Sequence, residues 1–178
     1  MAKSELQKHI PNVLSLARVL CAPCFVCALA YGAFGISLVV LLIGALSDFF
    51  DGFLARKFDT ETKTGALLDP LADKVFANFV LWGLYVYGKC PYPTLFLAVL
   101  LTIRDTALLI GGFFILYKKL KLDMSPIFAS KLCTAMIFVF CFLSLCYQEG
   151  SIAVDYIGWL CIVCVVVTFA LYIRRFKE

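Results

Sequence analysis

The sequence predicts an all-α integral membrane protein with six transmembrane helices. Of its 178 residues, 63% are hydrophobic and only 16% are charged, and the mean hydropathy is +0.96. A typical soluble domain is roughly 45–50% apolar. The charged residues cluster between apolar stretches of about 20 residues, the length that crosses a hydrocarbon core of ~30 Å. We expect a single membrane domain over residues 1–178.

The predicted spans follow one another through short polar connections. In chain order they cover residues 13–31, 34–53, 67–87, 93–117, 126–147 and 152–173. Residues 1–11 precede them, carry charges around Leu6 and Ile10, and end at Pro11. This pattern predicts a short interfacial helix on the membrane surface, with a solvated tail as the alternative.

The basic residues predict the orientation of the bundle. Eleven of the sixteen Lys and Arg residues fall on one side of the predicted membrane: Lys3, Lys8, Arg56, Lys57, Lys63, Lys118, Lys119, Lys121, Arg174, Arg175 and Lys177. By the positive-inside rule, both termini and the second and fourth connections are cytoplasmic. The net charge of +4 therefore indicates topology and attraction to anionic lipid, and no basic run with interleaved aromatics indicates nucleic-acid binding. The lack of a transit-like leader favours a bacterial inner membrane.

Four aspartates lie in otherwise apolar sequence, in two closely spaced pairs. From Asp48 to Asp73 the chain reads D-x2-D-G-x2-A-R-x8-G-x3-D-x3-D. Asp48 and Asp51 share a face of the second helix, and Asp69 and Asp73 share a face of the third. The connection between these helices is short, so we expect antiparallel neighbours whose carboxylates converge at the cytoplasmic end.

Four carboxylates at a membrane need compensating positive charge. On insertion scales an ionised carboxylate in a spanning helix costs about 2.5–3.5 kcal/mol, and Arg56 with Lys74 are too few to balance four. Oxygen ligands without His or Cys favour Mg²⁺ or Mn²⁺. Two such ions, about 3.5–4 Å apart, can clamp the oxygens of a phosphoryl-type displacement. Pairing of the aspartates with Lys and Arg is the structural alternative.

This motif resembles the signature of the CDP-alcohol phosphotransferases at all eight of its specified positions. Members of that family are six-helix membrane enzymes, commonly homodimers, which transfer a substituted phosphate from a CDP-linked donor to an alcohol and release CMP. The resemblance implies that Asp48, Asp51 and Asp69 hold two divalent ions with Asp73 nearby. It also implies that Asp73 is the general base that takes the proton of the acceptor hydroxyl.

Further residues match donor-binding positions of the family. Gly52 and Arg56 match contacts to the nucleotide diphosphate, and Thr62 matches another donor contact. Asn12 and Ser15 resemble a first-helix donor contact, although a Pro-Asn pair is also an ordinary helix start. The sequence offers no Ser-His-Asp or Cys-His arrangement, so we expect direct in-line transfer without a covalent intermediate.

The donor is expected to be CDP-diacylglycerol, because the site opens at the bilayer surface. Arg104 and Lys131 are the predicted acceptor-binding residues, with a structural Arg104–Asp105 pair as the alternative. Glycerol-3-phosphate enzymes of the family usually carry a second Lys where this chain has Cys133. A phosphate monoester needs more cations than a phosphodiester does, and this chain offers fewer basic residues. Phosphatidylglycerol is therefore the favoured acceptor, which would give cardiolipin, and glycerol-3-phosphate is the alternative.

A small metal-ion transporter lined by the aspartates is the rival from another functional class. The acidic cluster lies at one rim of the bundle, and no inverted repeat is visible in the sequence. Both observations favour the enzyme.

Overall fold

The part of the chain that the structure describes forms six α-helices. A computed structural model describes the backbone of residues 2–58, 65–88, 91–117, 128–147 and 151–175, and the side chains of 16–47, 72–88, 92–111, 129–147 and 151–174. The helices are α1 (Ala2–Ala30), α2 (Phe34–Phe58), α3 (Gly65–Tyr87), α4 (Pro91–Tyr117), α5 (Phe128–Cys146) and α6 (Ile152–Arg175). The all-helical, six-helix prediction is confirmed within this part of the chain.

The main difference from the predicted boundaries is at the N-terminus. Residues 2–11 are helical, but they continue into the first predicted span as one helix, Ala2–Ala30, instead of ending at Pro11. Proline has no backbone N–H to donate, yet the chain stays helical through Pro11. The second helix also runs five residues beyond its predicted end, to Phe58.

A Schellman turn joins α1 to α2. The N–H of Ala33 donates to the carbonyl of Ala28 (2.8 Å), and the N–H of Gly32 donates to that of Leu29 (2.9 Å). Gly32 has a φ of 70°, a conformation that glycine adopts without the Cβ penalty of other residues. The chain therefore reverses within three residues, and α2 returns alongside α1.

The structure divides into two compact units, residues 1–87 and 88–178. In unit 1, α1 packs against both α2 and α3. Arg18 contacts Asp73 near the start of this packing, and Val26 and Leu29 lie beside Gly83 further along. Residue numbers increase in the same direction along both helices at these contacts, so α1 and α3 run parallel. The connecting helix α2 runs in the opposite direction. The prediction of a single domain over residues 1–178 stays a prediction.

In unit 2, α6 packs against both α4 and α5. Phe96 of α4 lies 5.8 Å from Trp159 of α6, between ring centroids, and the Sγ atom of Cys164 lies 3.8 Å from Sδ of Met136 in α5. Gly158 is placed where a Cβ would lie 2.7 Å from Cβ of Pro93. The absence of a side chain at Gly158 thus allows α4 to approach α6 closely.

Large apolar side chains face outward along the helices. Examples are Leu20 (60% exposed), Ile110 (66%) and Val163 (57%). By length and composition, three helical segments within the described ranges could cross a membrane: Tyr92–Gly111, Ala129–Cys146 and Ile152–Arg174. Such a surface is expected where lipid replaces water as the solvent. The other three predicted spans stay predictions.

Candidate active site

The two helices that carry the aspartate motif meet at Gly44 and Phe76. A Cβ at position 44 would overlap the ring of Phe76, which is fully buried. Gly44 lies four residues before Asp48 on α2, and Phe76 lies three residues after Asp73 on α3. Asp48, the first motif residue on α2, and Asp73, the last on α3, therefore each lie within about one turn of a close contact.

Asp73 is the one predicted metal-site aspartate whose side chain the structure describes. Its side chain is 42% exposed, and its Oδ1 accepts a hydrogen bond from Nη1 of Arg18 in a salt bridge between α3 and α1. The Arg18 side chain is only 2% exposed. One end of this pair is therefore enclosed by the helices, and the other end is open.

Sequence reasoning missed Arg18 as a partner of the aspartates. The charge balance counted Arg56 and Lys74, the basic residues closest in sequence, whereas Arg18 stands 55 residues before Asp73. The signal was present, because a single Arg in an apolar helix must find a partner or face water. Arg18 also lies on the buried stripe of α1, at the spacing of Ala22, Phe25 and Leu29.

The other predicted site residues fall outside the described side chains. Asp48, Asp51, Gly52 and Arg56 lie in α2, Asp69 lies in α3, and Asn12 and Ser15 lie in α1, while Thr62 is outside the described backbone as well. Their predicted roles stay predictions.

Of the two predicted acceptor-binding residues, Arg104 is buried and Lys131 is exposed. Nε and Nη2 of Arg104 both donate to Oδ1 of Asp105, at 3.0 and 2.8 Å. Nη1 of Arg104 lies 4.0 Å from Sγ of Cys133 in α5. The structural Arg104–Asp105 pair is thus present, and the neighbour of the guanidinium in α5 is Cys133.

The cysteines add no metal site within the described side chains. Among those residues no three His, Cys, Asp or Glu side chains come together as a metal site. Cys133, Cys141 and Cys161 are buried as free thiols, as expected for small hydrophobic residues. Three of the four predicted carboxylate ligands lie outside that set of residues, and their carboxylate chemistry suits Mg²⁺ or Mn²⁺.

A family model for CDP-alcohol phosphatidyltransferases matches residues 8–171, which is most of the chain. The chain belongs to the CDP-alcohol phosphatidyltransferase family. The match extends over both compact units and includes the whole aspartate motif.

The relatives that this chain resembles carry names for two different activities. The chain is 41% identical over 111 residues to a CDP-diacylglycerol–glycerol-3-phosphate 3-phosphatidyltransferase of Aquifex aeolicus, and the match covers 62% of each chain. It is 45% identical over 74 residues to a Salmonella typhimurium protein of the same name, which covers 39% of this chain and 40% of that protein. A rat cardiolipin synthase (CMP-forming) is 33% identical over 112 residues, covering 62% of this chain and 36% of the relative. The matches thus span less than two thirds of each relative.

Proposed function

We propose that this protein transfers the phosphatidyl group of CDP-diacylglycerol to a glycerol-type hydroxyl and releases CMP. The observation that carries the proposal is the position of the aspartate motif on α2 and α3, next to the Gly44–Phe76 contact, with Asp73 open to solvent at 42% exposure. Membership of the CDP-alcohol phosphatidyltransferase family supports the same reaction.

In the proposed reaction, an oxygen of the acceptor attacks the phosphorus that carries diacylglycerol. The new P–O bond forms to the acceptor, the bond from that phosphorus to the CMP oxygen breaks, and CMP leaves with the bonding electrons. Asp73 accepts the proton of the attacking hydroxyl, since a neutral alcohol is a poor nucleophile. Gly52, Arg56, Thr62, Asn12 and Ser15 are proposed to bind the donor.

Two divalent ions, Mg²⁺ or Mn²⁺, are proposed as cofactors. Asp48, Asp51 and Asp69, with Asp73 nearby, would hold them. When bound, such ions neutralise the diphosphate and polarise the phosphorus under attack. The residues of the chain then have to orient the donor and position the acceptor hydroxyl beside Asp73.

Glycerol-3-phosphate is the acceptor that the relatives support best, and phosphatidylglycerol is the second candidate. The Aquifex and Salmonella proteins carry the glycerol-3-phosphate name, and the rat relative carries the cardiolipin name. Counting basic residues in the sequence favoured phosphatidylglycerol, because the fourth helix lacks the second Arg of the glycerol-3-phosphate enzymes and Cys133 stands where they carry a second Lys. The names of the relatives favour glycerol-3-phosphate instead. Arg104 and Lys131 remain the proposed acceptor-binding residues.

The protein is proposed to act as a homodimer in a bacterial inner membrane, with its site at the cytoplasmic face. The outward-facing apolar side chains and the three candidate spans support the membrane location. The distribution of Lys and Arg supports the orientation.

Purified protein should be incubated with CDP-diacylglycerol, Mg²⁺ or Mn²⁺, and each acceptor in a separate reaction. We expect CMP release and phosphatidylglycerophosphate with glycerol-3-phosphate, both abolished by EDTA and restored by excess Mn²⁺. Cardiolipin formed only from phosphatidylglycerol would overturn the acceptor and keep the reaction class. No CMP release with any acceptor would reject the enzyme and favour the transporter.

A further inference from the structure

The Arg18–Asp73 salt bridge joins the helix of the proposed base to a helix that carries no motif aspartate. Nη1 of Arg18 donates to Oδ1 of Asp73 across 55 residues of sequence. The structure therefore fixes the carboxylate by a contact that lies outside the D-x2-D…D-x3-D motif.

We propose that Arg18 is a positioning residue for Asp73 in phosphatidyl transfer. This inference rests on the proposed function, because it takes Asp73 to be the base of that reaction. Arg18 holds Oδ1 from the side of α1, and this orients the carboxylate so that its second oxygen, Oδ2, can face the acceptor hydroxyl.

The difference in exposure favours an indirect role of Arg18 in the reaction. The Arg18 side chain is 2% exposed and the Asp73 side chain is 42% exposed. A ligand that enters from solvent can reach the exposed part of Asp73, whereas the Arg18 side chain is enclosed. Arg18 therefore acts through Asp73, as residues that hydrogen-bond to a functional group do when they fix its orientation.

The surrounding packing gives Arg18 little freedom to move. Arg18 lies on the same buried stripe of α1 as Ala22 and Phe25, and Phe76, one turn after Asp73, is fully buried. An Arg fork held by close packing directs its N–H groups along fixed lines. The salt bridge thus has a rigid donor and a partly open acceptor.

A merely structural link between α1 and α3 would produce a different set of effects. It would stabilise the helix pair without a specific effect on turnover by folded protein. Leu29 provides the matched control, because it is 2% exposed on the same stripe of α1 and packs beside Gly83, far along the helix from Asp73. Leu29→Ala removes packing between the same two helices and leaves the salt bridge intact.

The test compares Arg18→Gln, Arg18→Met, Arg18→Lys and Leu29→Ala in the full-length protein. For each, kcat, the KM for CDP-diacylglycerol, Mn²⁺ binding by electron paramagnetic resonance, and the Tm in detergent are measured. We expect Arg18→Gln and Arg18→Met to lower kcat by about 10- to 100-fold. The KM should change by less than about threefold, and Mn²⁺ binding should not weaken, because a positive charge has been removed near the proposed metal site.

Arg18→Lys, which keeps the cation, should recover part of the lost kcat. Leu29→Ala should lower the Tm while its folded fraction retains the wild-type kcat. If Arg18→Gln fails to fold, Arg18→Met still tests the proposal, because the methionine side chain occupies most of the same buried space without a polar group.

The inference is overturned if either neutral variant retains a kcat within threefold of wild type. It is also overturned if kcat, Mn²⁺ binding and Tm fall together, in the proportions seen for Leu29→Ala. Failure of the proposed function is distinguishable, because the wild-type protein itself would then release no CMP with any acceptor.

Discussion

At the scale of single residues, the described part of the chain buries charge only in pairs that join helices or neighbouring positions. Arg18 is paired with Asp73 between α1 and α3, and Arg104 is paired with Asp105 within α4. The two pairs differ in access. Asp73 is 42% exposed, whereas both side chains of the second pair are at most 8% exposed. Of these two carboxylates, Asp73 is therefore the one that a substrate can reach.

Asp73→Asn should abolish transfer and leave a folded protein, because the amide oxygen can still accept from Nη1 of Arg18 and Asp73, unlike Asp105, is 42% exposed. The amide keeps the size of the carboxylate but cannot accept the acceptor proton, so we expect kcat to fall by at least about 100-fold. The measurement is CMP release under saturating CDP-diacylglycerol and Mn²⁺, alongside donor binding. Asp155→Asn, in the first turn of α6, is the control and should retain activity. Substantial turnover by Asp73→Asn would reject Asp73 as the base.

Asp105→Asn should strongly destabilise the protein. Nε and Nη2 of Arg104 both donate to one carboxylate oxygen of Asp105, and Arg104 is buried. Removal of the negative charge leaves a buried cation without that partner, at a cost of about 3–5 kcal/mol. Thermal unfolding in detergent measures the effect.

The double variant Arg104→Gln/Asp105→Asn should recover part of that stability, because the two substitutions share one interaction. Strictly additive losses would show that the pair is not the source of the effect. Asp155→Asn again serves as control for loss of an aspartate.

At the scale of elements, the close approach of α2 and α3 depends on one glycine. Gly44 leaves room for the ring of Phe76, and this contact lies within about a turn of Asp48 and Asp73. A small displacement of α2 would move two motif aspartates relative to the two on α3. Helix packing and site geometry are thus coupled at this contact.

Gly44→Ala should therefore lower both stability and turnover. The new methyl group would overlap the ring of Phe76, which is fully buried and has little room to move, so we expect a loss of about 1–3 kcal/mol. Gly35→Ala is the matched control on the same helix, because nothing lies within 4 Å of a Cβ there. Its effect should stay within about 1 kcal/mol, because alanine favours helix over glycine.

A second control separates stability from site geometry. Gly158→Ala meets Pro93 and Phe140, the latter at 2.9 Å, in the unit without the motif. At a similar loss of Tm, it should lower kcat less than Gly44→Ala does. Gly44→Ala/Phe76→Leu should restore kcat in part. Equal kcat in the two glycine variants would contradict the link between the α2–α3 contact and the site.

The sequence predicted elements better than the contacts between them. Hydropathy and polar connections placed all six helices, because a spanning segment must be long, apolar and internally hydrogen-bonded. The N-terminal helix predicted over residues 1–11 is present, but it continues into the first span as one helix, Ala2–Ala30. The Arg18–Asp73 contact was missed because helical periodicity gives the face of a residue but not its partner on a helix that is distant in sequence.

The acceptor could not be read from the sequence for a related reason. Sequence comparison counted basic positions, whereas the structure shows that Arg104 already contacts Asp105 and that Cys133 lies beside it. The effective charge at a position depends on its neighbours as well as on its residue type. A count of Lys and Arg is therefore a poor measure of which phosphate a pocket accepts.

At the scale of the whole molecule, a chain with six spans returns to its starting side of the membrane after every second helix. Three of the six helices lie in each compact unit. Three of the helical segments meet the length and composition of a span within the described ranges. The helices of both units must cross the membrane if the proposed site and both termini are to lie at the cytoplasmic face. This orientation is testable without knowledge of the substrate.

Reporter fusions after residues 60, 89, 121, 149 and 178 should reveal this topology. Fusions after 60, 121 and 178 follow the Lys- and Arg-rich connections and the basic C-terminus, so a fluorescent protein placed there should fold in the cytoplasm. Fusions after 89 and 149 should be active with alkaline phosphatase, which requires export. A cytoplasmic signal at 89 with export at 60 would invert the bundle and move the aspartate motif to the opposite face, where the proposed orientation of the site would be lost.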